Sequence, residues 1–496
     1  MTLSDLQDAG PSGGKGTPSS SGEDLFPLNP ENSATLPVGK NAFLTLASDA
    51  LIVVDKGLKS KSRRRCCGIS IPRYFEESET ARSIPYYDIL WAEVTHDYIT
   101  IKYADHVTKT DVALSSVYYP VSLEHKSQAE TWTEKLLDSS YGKAQRRKRI
   151  KVLLNPFGGK VRNRCRIDNY RGHAVDLVEK LDVDAYDVIV ACSGDGIPYE
   201  IFNGLAKKPN ASEALRKIAV AHIPCGSGNA MSWNLQGTGS TSLAALCIVK
   251  GLRTPLDLVS ITQGDRRTLS FLSQAFGIVA DSDLGTDNVR WMGQARFTYG
   301  FLVRLFGKTV YPCDLAVKVE LDNKELIKDH YRAGSERRSF NQLRDEELSD
   351  TVGLPPLRYG TVNDPLPEDW TMVPYDKLGN FYAGNMAYMA ADTIFFPTAL
   401  PNDGCLDLIT TNGDISRRTA VQMLMALDNG TLFDMPEVNV RKVTGYRIIP
   451  KDRKEGYISI DGEQVPFEPF QAEVHRGLGT VLSKSGYRYE ASNGLK

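Results

Sequence analysis

The amino-terminal part of the chain has short segments in which apolar and polar residues alternate, the pattern of strands with one buried face. These segments span residues 43–46, 51–54, 89–94 and 98–103. One segment with helical periodicity, residues 127–140, follows them and has Trp132, Leu136 and Leu137 on one face. The pattern predicts a β-rich module at residues 39–142 that ends in a helix.

From residue 150 the pattern changes to apolar strands that alternate with helices, which predicts a mostly parallel α/β sheet. The predicted strands are 150–154, 186–192 and 217–223, with a helix at 197–207. From residue 256 onwards strand-like segments dominate, at 256–262, 267–279, 311–320, 380–389, 405–410 and 445–449. The predicted fold class is therefore an α/β lobe at 143–255 followed by an all-β, largely antiparallel lobe at 256–491.

Two segments do not fit either pattern. Residues 1–38 are rich in Gly, Ser, Pro and acidic residues, so they cannot bury enough apolar surface to fold and are predicted to be disordered. Residues 332–370 are charged and rich in Pro, which predicts a mobile insertion in the second lobe.

Composition narrows the functional class. The 496 residues are 41% hydrophobic and 24% charged, which is ordinary for a globular protein. Because Lys+Arg 59 nearly balance Asp+Glu 61, no overall basic field exists and nucleic acid is not expected as a partner. No apolar run is long enough for a transmembrane helix, and the eight cysteines show neither disulfide nor zinc spacing. We expect a cytoplasmic protein with reduced thiols.

A basic run that ends in two cysteines interrupts the β-rich module, which resembles a pleckstrin-homology-like module. The run contains Lys56, Lys59, Lys61 and residues 63–65, all arginine, and ends at Cys66 and Cys67. A solvated loop with two incidental thiols is one interpretation. The other is peripheral membrane association, in which the basic side chains bind anionic lipid and Cys66 and Cys67 carry palmitoyl anchors. A second basic run, residues 143–151, is predicted to link the module to the α/β lobe.

Three Gly-rich turns follow predicted strands, at residues 155–160, 193–196 and 224–229. They should meet at the carboxyl edge of one sheet, where open α/β sheets bind ligands. Glycine allows backbone N–H groups to approach phosphate oxygens, so the turns predict a phosphate-binding edge. The chain has neither a GxxxxGK[ST] loop nor a GxGxxG loop, which argues against a Walker ATPase and a Rossmann dehydrogenase.

Asp195 is the acidic residue of the second turn and lies between Gly194 and Gly196. Most turn aspartates serve as N-caps or form Asx-turns. Among phosphate-binding turns, Asp195 could instead be the base that accepts a proton from an attacking hydroxyl group.

At these residues the chain resembles the catalytic domain of the diacylglycerol-kinase-type lipid kinases. The resemblance rests on residues 155–160, 193–196, 203–205 and 224–230 together with Glu200. Residues 270–284, 290–297 and 461–463 are similar to the sphingosine (sphingoid long-chain base) kinases within that superfamily. The resemblance covers about residues 150 to 480, and the upstream strands and cysteine pair suit the fungal branch.

The resemblance implies an ATP-binding α/β lobe, a β-sandwich lobe that receives the lipid, and an active site in the cleft between them. Asp195 would be the general base on the primary hydroxyl of a sphingoid base. The implied nucleotide-binding residues are Asn155, Pro156, Gly158, Gly159, Lys160, Ser193, Gly194, Gly196, Gly226, Ser227, Gly228, Asn229, Arg290, Arg296, Asp461 and Glu463. Asp461 would also help to place Mg²⁺, so the implied cofactors are ATP and Mg²⁺.

The lipid would be bound by Asp283, Phe276 and Ile278. The Asp283 carboxylate suits the ammonium group of a sphingoid base, a partner that N-acylated ceramide cannot replace equally. The alternative for Asp283 is a helix N-cap ahead of residues 287–304. Arg290 and Arg296 would neutralise phosphate charge, and their alternative is a solvated helix face.

The chain departs from the family between Lys160 and His173. The family has a helix and a second strand there, whereas only residues 161–172 remain in this chain, with Val161 in place of a glycine and Asp168 in place of a threonine. A missing interior strand predicts exposed apolar surface at residues 152–154 and 188–190. Either a misassigned exon boundary or an isoform with impaired activity would explain the gap.

Three alternatives to a sphingoid-base kinase remain open. The first is a ceramide or diacylglycerol kinase, and the second is a membrane-binding family member that has lost ATP binding through the gap. The Gly-Asp-Gly turn also occurs in soluble NAD kinases and phosphofructokinases, but the Leu- and Phe-rich residues 271–279 favour a lipid substrate.

Overall fold

The computed structural model of the chain describes residues 34–55, 81–155, 170, 172–286, 295–336, 352–428, 430–453 and 455–490. Within them, no helix is both long enough and apolar enough to cross a bilayer.

The amino-terminal module has two antiparallel sheets and one helix. The first sheet contains β1 (Thr35–Val38), β2 (Ala42–Leu46), β3 (Ala50–Asp55) and β4 (Ala81–Pro85), and the second contains β5 (Ile89–Thr95), β6 (Tyr98–His106) and β7 (Val112–Pro120). Helix α1 (Lys126–Tyr141) buries Trp132, Leu136 and Leu137 in the core that both sheets share. The predicted strands and helix are confirmed, whereas the pleckstrin-homology-like character of the module stays a prediction. The predicted disordered N-terminus reached residue 38, but residues 35–38 form β1, which buries Leu36 and Val38 against β2.

The predicted parallel sheet is confirmed as three strands in the order β10-β9-β8. The elements of this lobe are β8 (Ile150–Leu154), α2 (His173–Glu179), β9 (Val188–Ser193), α3 (Gly196–Ala206), α4 (Ala211–Lys217), β10 (Ala219–Pro224), α5 (Ala230–Gln236) and α6 (Thr241–Lys250). In the part of the chain that the structure describes, β8 pairs with β9 alone and ends the sheet, so a further strand would lie beyond β8 and not in the interior. Val152 is accordingly 42% exposed, but Leu153, Val188 and Val190 are buried, which corrects the exposure predicted for residues 188–190 and for Leu153.

The second basic run connects the module to this lobe and is fixed by specific contacts. Arg146 forms ion pairs with Glu134 and Asp138 of α1, and the Arg147 guanidinium lies 4.5 Å from the ring centroid of Trp91. Arg149 pairs with Asp187 ahead of β9. The linker therefore attaches both to the module behind it and to the lobe in front of it.

The second lobe is largely antiparallel, as predicted. Its strands are β11 (Leu252–Gln263), β12 (Arg266–Ser270), β13 (Ser273–Gly277), β14 (Cys313–Leu321), β15 (Val373–Tyr375), β16 (Leu378–Gly384), β17 (Tyr388–Ala390), β18 (Thr393–Ile394), β19 (Leu406–Asn412), β20 (Asn439–Pro450), β21 (Ile458–Ile460), β22 (Glu463–Val465) and β23 (Phe470–Ser483). Strand β11 pairs with β23 from Leu252 to Thr262, so the boundary predicted at residue 255 falls inside a strand. Strand β23 also pairs in parallel with β10, which joins both lobes in one continuous sheet.

Among the residues that the structure describes, the α-helices between these strands are α7 (Ile278–Leu284), α8 (Ala295–Phe306), α9 (Lys324–Glu336) and α10 (Arg417–Asp428). Residues 332–336 of the predicted mobile insertion belong to α9. Residues 352–370 are held by the Arg358–Glu473 ion pair and by the contact between the Tyr359 and Trp370 rings. These contacts do not support mobility at either end of the insertion, and residues 337–351 lie outside the described part of the chain.

Candidate active site

The ends of the three parallel strands meet at one edge, as the sequence predicts. Leu154 lies beside Cys192, and Ser193 lies beside Pro224, in the parallel ladders. Asn155, the Gly194–Gly196 turn and the turn after Pro224 therefore leave the sheet next to one another. The geometry brings the described parts of all three Gly-rich turns together at the carboxyl edge.

The second and third turns pack backbone against backbone. A Cβ atom on Gly226 would lie 2.6 Å from the Cα atom and 3.1 Å from the nitrogen of Gly194. Real Cβ atoms do not approach a backbone this closely, so the contact requires glycine at position 226. Such bare backbone is what allows N–H groups to reach phosphate oxygens.

Asn229 closes the third turn. Its side-chain Oδ1 accepts a hydrogen bond from the Gly226 nitrogen at 2.8 Å, and its Nδ2 donates to the Gly226 carbonyl at 2.9 Å. Asn229 has a φ of +56°, a left-handed conformation that asparagine tolerates better than most residues. The residue therefore shapes the turn through its own backbone as well as through its amide.

Asp195 occupies the N-cap position of α3, but its side chain does not cap that helix. Its Oδ2 accepts a hydrogen bond from the Ala230 nitrogen at 2.9 Å, and its Oδ1 accepts one from the Met231 nitrogen at 3.0 Å. The half-buried carboxylate thus binds the first two amides of α5, which follow the third Gly-rich turn. Asp195 is therefore not a simple N-cap of α3, because its carboxylate links the second Gly-rich turn to the start of α5.

Glu463 brings the second lobe to this edge. A Cβ atom on Gly196 would lie 3.4 Å from Oε1 of Glu463, so that carboxylate reaches the start of α3. The turn before Glu463 has left-handed backbone at Asp461 and Gly462, with φ of +53° and +82°. The edge therefore carries two acidic side chains, Asp195 from the α/β lobe and Glu463 from the β lobe.

Asp461 points away from the edge into the β lobe. Its Oδ1 accepts hydrogen bonds from the Ser270 hydroxyl and from the nitrogens of Leu272 and Ser273, and its Oδ2 accepts one from the nitrogen of Phe271. Burial raises the pKa of the Asp461 carboxyl to about 6, against the opposite effect of these hydrogen bonds. The carboxylate holds the loop between β12 and β13 in place.

Mg²⁺ prefers carboxylate oxygens that are open to it and to water. Asp461 does not fit this requirement, because four donors already surround its two oxygens. The described residues also contain no cluster of three or more His, Cys, Asp or Glu that could hold a metal. Of the two acidic residues predicted around Mg²⁺, Glu463 alone has a carboxylate at the turns.

Asp283 lies in the last turn of α7, so the N-cap interpretation of this residue is wrong. Its Oδ2 lies 3.4 Å from the hydroxyl oxygen of Ser459 on β21. Burial raises the pKa of the Tyr382 hydroxyl, and the negative charges of Asp283 and Asp461 add to this increase. Asp283 is therefore an acidic group at the carboxyl end of a helix, where negative charge is not favoured by the helix dipole.

Ile278 begins α7 and lines a narrow apolar cavity with side chains of α8 and α10, among them Phe301, Met423 and Leu427. The cavity holds about 10 Å³, roughly one water molecule, so an alkyl chain would require side-chain movement. Phe276 does not line this cavity. It is 1% exposed and contacts Tyr311 and Phe467 in the β core.

No sequence motif points to Asn380, which also contacts the start of α7. Its Oδ1 accepts a hydrogen bond from the Val279 nitrogen at the start of α7, and its side chain lines the same cavity. Asn380 lies on β16, about 100 residues from α7 in sequence, and no local motif marks it.

Two family-motif residues hold neighbouring elements together. Glu200 accepts hydrogen bonds from the nitrogens of Gly172 and Ala174 at 3.0 Å each, so it caps α2. The Asn203 amide exchanges two hydrogen bonds with the backbone of Leu269, which joins α3 to β12.

Several predicted site residues lie outside the described residues: Cys66, Cys67, Pro156, Gly158, Gly159, Lys160 and Arg290. Arg296 belongs to α8, but its side chain is likewise outside the described part. Most of the shortened segment, 161–169 and 171, is also outside it.

Comparisons with known proteins agree with this architecture. Residues 138–261 match the diacylglycerol kinase catalytic domain, and residues 380–483 match the YegS C-terminal NAD kinase beta sandwich-like domain. Residues 34–142 match a domain of unknown function, DUF7493.

Among curated proteins, the chain is 34% identical to sphingoid long chain base kinase 5 of Saccharomyces cerevisiae over 76% of this chain and 65% of that protein. It is 32% identical to sphingoid long chain base kinase 4 of Schizosaccharomyces pombe over 81% of this chain and 88% of that protein. Human sphingosine kinase 1 is 27% identical over 68% of this chain and 91% of that protein. The chain belongs to the sphingoid long-chain base kinase family, within the diacylglycerol-kinase-type lipid kinases.

Proposed function

We propose that the protein transfers the γ-phosphoryl group of ATP to the primary hydroxyl of a sphingoid long-chain base and releases the 1-phosphate. The observation that carries this proposal is the Asp195 carboxylate, which two α5 amides fix at the edge where the Gly-rich turns meet. Family membership supports the lipid-kinase activity, since the relatives are named as kinases of sphingoid bases.

The nucleotide phosphates bind at the Gly194 and Gly226 turns. Neither Gly194 nor Gly226 has a side chain, so phosphate can approach the backbone of both turns, although the Gly226 N–H itself donates to Asn229. Mg²⁺, when bound with the nucleotide, would neutralise phosphate charge. Glu463 is the described carboxylate that could hold it.

Asp195 acts as the general base. The hydroxyl oxygen of the lipid forms a bond to the γ-phosphorus, the bond from that phosphorus to the bridging oxygen of ADP breaks, and the hydroxyl proton passes to Asp195. The two amide hydrogen bonds leave lone pairs on both carboxylate oxygens, so the base can be oriented and still accept a proton.

Asp283 selects the head group. A sphingoid base carries an ammonium group, and the Asp283 carboxylate at the carboxyl end of α7 favours a cation through both its own charge and the helix dipole. Ceramide and diacylglycerol have no such charge, so they gain less from this position. Ile278, five residues before Asp283 on the same helix, leads into the apolar cavity that would receive the alkyl chain.

The membrane supplies the substrate. Tyr299, Val303 and Phe306 of α8 and Met425 of α10 are exposed on the helices that enclose the cavity. Exposed apolar side chains on adjacent helices are typical of membrane or protein contacts. Together with the basic run and Cys66 and Cys67 of the sequence, they favour peripheral membrane association.

A direct test compares wild type with Asp195→Asn and Asp283→Asn on sphinganine, ceramide and diacylglycerol. We expect Asp195→Asn to lose about 10²–10⁴-fold in kcat while it still binds ATP. Asp283→Asn should raise KM for sphinganine and leave the weak use of diacylglycerol unchanged. Asp265→Asn, at an exposed turn, is the matched control. Preferred use of ceramide or diacylglycerol by the wild type would replace the proposed substrate, and equal turnover by Asp195→Asn would remove the proposed base.

A further inference from the structure

A cleft of about 760 Å³ lies between the amino-terminal module and the α/β lobe, away from the Gly-rich turns. The module contributes Tyr87, His106 and Lys109, and the other wall contains Trp233, Ser240 and Lys484. This volume is within the range of small-molecule sites in proteins, which are often found between domains.

Specific contacts fix the two walls relative to each other. The Val112 nitrogen donates to the Ser242 hydroxyl at 3.1 Å, and the Tyr87 hydroxyl donates to the Cys247 sulfur at 3.4 Å. Lys250, at the end of α6, donates to the Ser140 carbonyl of α1 at 3.0 Å. The shape of the cleft is therefore determined by specific contacts between the docked module and the α/β lobe.

The charged side chains of the cleft are two aspartates and two lysines. The aspartates have partners, since Asp88 pairs with His106 and Asp111 accepts from the hydroxyls of Thr108 and Thr110. Exposed Lys109 and Lys484 form no ion pair with any described residue, so the cationic groups are the ones open to a ligand. An anion bound by either lysine would gain a Coulombic attraction.

The apolar part of the lining indicates a second chemical group on the ligand. Trp233, Tyr87 and Leu243 provide two aromatic rings and an aliphatic side chain. Rings of this kind bind planar or aliphatic groups, whereas an inorganic ion alone would leave them unused.

Helix α5 joins the cleft to the catalytic edge. Trp233 and Gln236 line the cleft, and the nitrogens of Ala230 and Met231 at the other end hold the Asp195 carboxylate. The helix has seven residues, so the two ends are only about 10 Å apart. A shift of this short element would move both sites together.

We propose that this cleft is an effector site for a phosphomonoester that carries an aromatic or aliphatic group, with the phosphate between Lys109 and Lys484. Occupancy of the cleft acts through α5 on the position of Asp195. The site goes beyond the proposed lipid phosphorylation, and its binding is measurable without any turnover.

The binding test uses phenyl phosphate as the probe and tryptophan fluorescence as the signal. We expect saturable quenching in the wild type and loss of that signal in Trp233→Phe. The double variant Lys109→Ala with Lys484→Ala should bind phenyl phosphate at least roughly tenfold more weakly, and a thermal shift measured in the same titration reports this affinity. Lys135→Ala, an exposed lysine on α1 of the same module, should bind like the wild type. Absence of saturable binding, or equal affinity in the double variant, overturns the site.

Two further measurements decide the source of the ligand and the coupling. The first is flotation with phosphatidylcholine vesicles that contain phosphatidic acid. If the double lysine variant no longer binds these vesicles, the ligand is a membrane headgroup, and if the variant still binds them, the ligand is a soluble metabolite. Phenyl phosphate should change kcat for sphinganine by several-fold in the wild type and not in the double variant, whose basal kcat is unchanged. Binding without any change in kcat overturns the coupling through α5.

Discussion

Gly226 packs so closely on Gly194 that a Cβ atom at position 226 would lie 2.6 Å from the Gly194 Cα atom. The reverse substitution is milder, because a Cβ atom on Gly194 would lie 3.5 Å from the Gly226 Cα atom. The contact therefore depends on position 226 more than on position 194.

We predict that Gly226→Ala separates the two turns and lowers both the melting temperature and the affinity for ATP. Overpacking of this kind costs about 1–3 kcal/mol. Gly194→Ala is the matched control for stability, and it should melt close to the wild type. Thermal melts of both variants, with and without Mg-ATP, test the prediction, and equal melting of the two variants would contradict it.

Asp461→Asn should destabilise the fold. The amide has one acceptor oxygen where the carboxylate has two, and its NH₂ group would face N–H donors of the loop between β12 and β13. We expect a loss of about 2–4 kcal/mol in the free energy of unfolding, measured by denaturant titration.

Glu463→Gln separates this role from that of a metal ligand. It should leave the unfolding free energy close to that of the wild type and raise KM for Mg-ATP, because Glu463 reaches the turns. If Asp461→Asn keeps full stability and loses Mg²⁺ dependence instead, then Asp461 is a metal ligand and its buried contacts are secondary.

Lys250 gives the docked module a pH dependence. Burial, with a smaller effect of the Lys148 ammonium, lowers the pKa of Lys250 to about 7. The unfolded chain keeps that proton up to about pH 10, so between pH 7 and 10 the unfolded state binds more protons and stability rises with pH.

We therefore expect the unfolding free energy of the wild type to rise more steeply from pH 7 to pH 9 than that of Lys250→Met, by up to about 1.4 kcal/mol per pH unit. Lys135→Met, at an exposed position of α1, should keep the wild-type slope. Identical slopes in wild type and Lys250→Met would show that the Lys250 ammonium keeps its ordinary pKa against the ring of Tyr141.

Cys66→Ser combined with Cys67→Ser should move the protein from membranes to the cytosol. Each buried CH₂ of an acyl chain contributes about 0.8 kcal/mol, whereas the basic run alone gives weaker, salt-sensitive binding. Fractionation at low and high salt distinguishes the two contributions. Retention of the double variant on membranes in high salt would mean that the anchor lies elsewhere.

Activity should depend on the segment that the sequence predicts to be missing after Lys160. Among the described residues, β8 ends the sheet, and its Ile150 and Val152 are 38% and 42% exposed, as expected of an edge strand. A version with a family-like helix and strand should bind Mg-ATP more tightly and phosphorylate sphinganine faster, since a 1 Å error in a catalytic site can cost about 10²-fold. Thermal shift and lipid phosphorylation of both forms test this, and equal performance would show that residues 161–172 suffice.

The sequence by itself determined the elements and the turns of the catalytic edge. Apolar runs at 186–192 and 217–223 are each followed by a Gly-rich turn, and because parallel strands end at a common edge, the meeting of the turns that contain Gly194 and Gly226 followed from local pattern alone. The turn pattern also selected Asp195, and the family motifs added Asp283 and Glu463, but neither carried information about which atoms these side chains contact.

Only the tertiary structure decided what each side chain does. Asp195 caps α5 and not its own helix, and Asp461 binds a loop that precedes it by about 190 residues, contacts that no local pattern encodes. Phe276 and Ile278 are two residues apart, yet one enters the β core and the other the cavity, because Gly277, with a φ of +104°, turns the chain from β13 into α7. Side-chain partners far apart in sequence are set by packing of the whole chain, whereas strands and turns are set by residues next to one another.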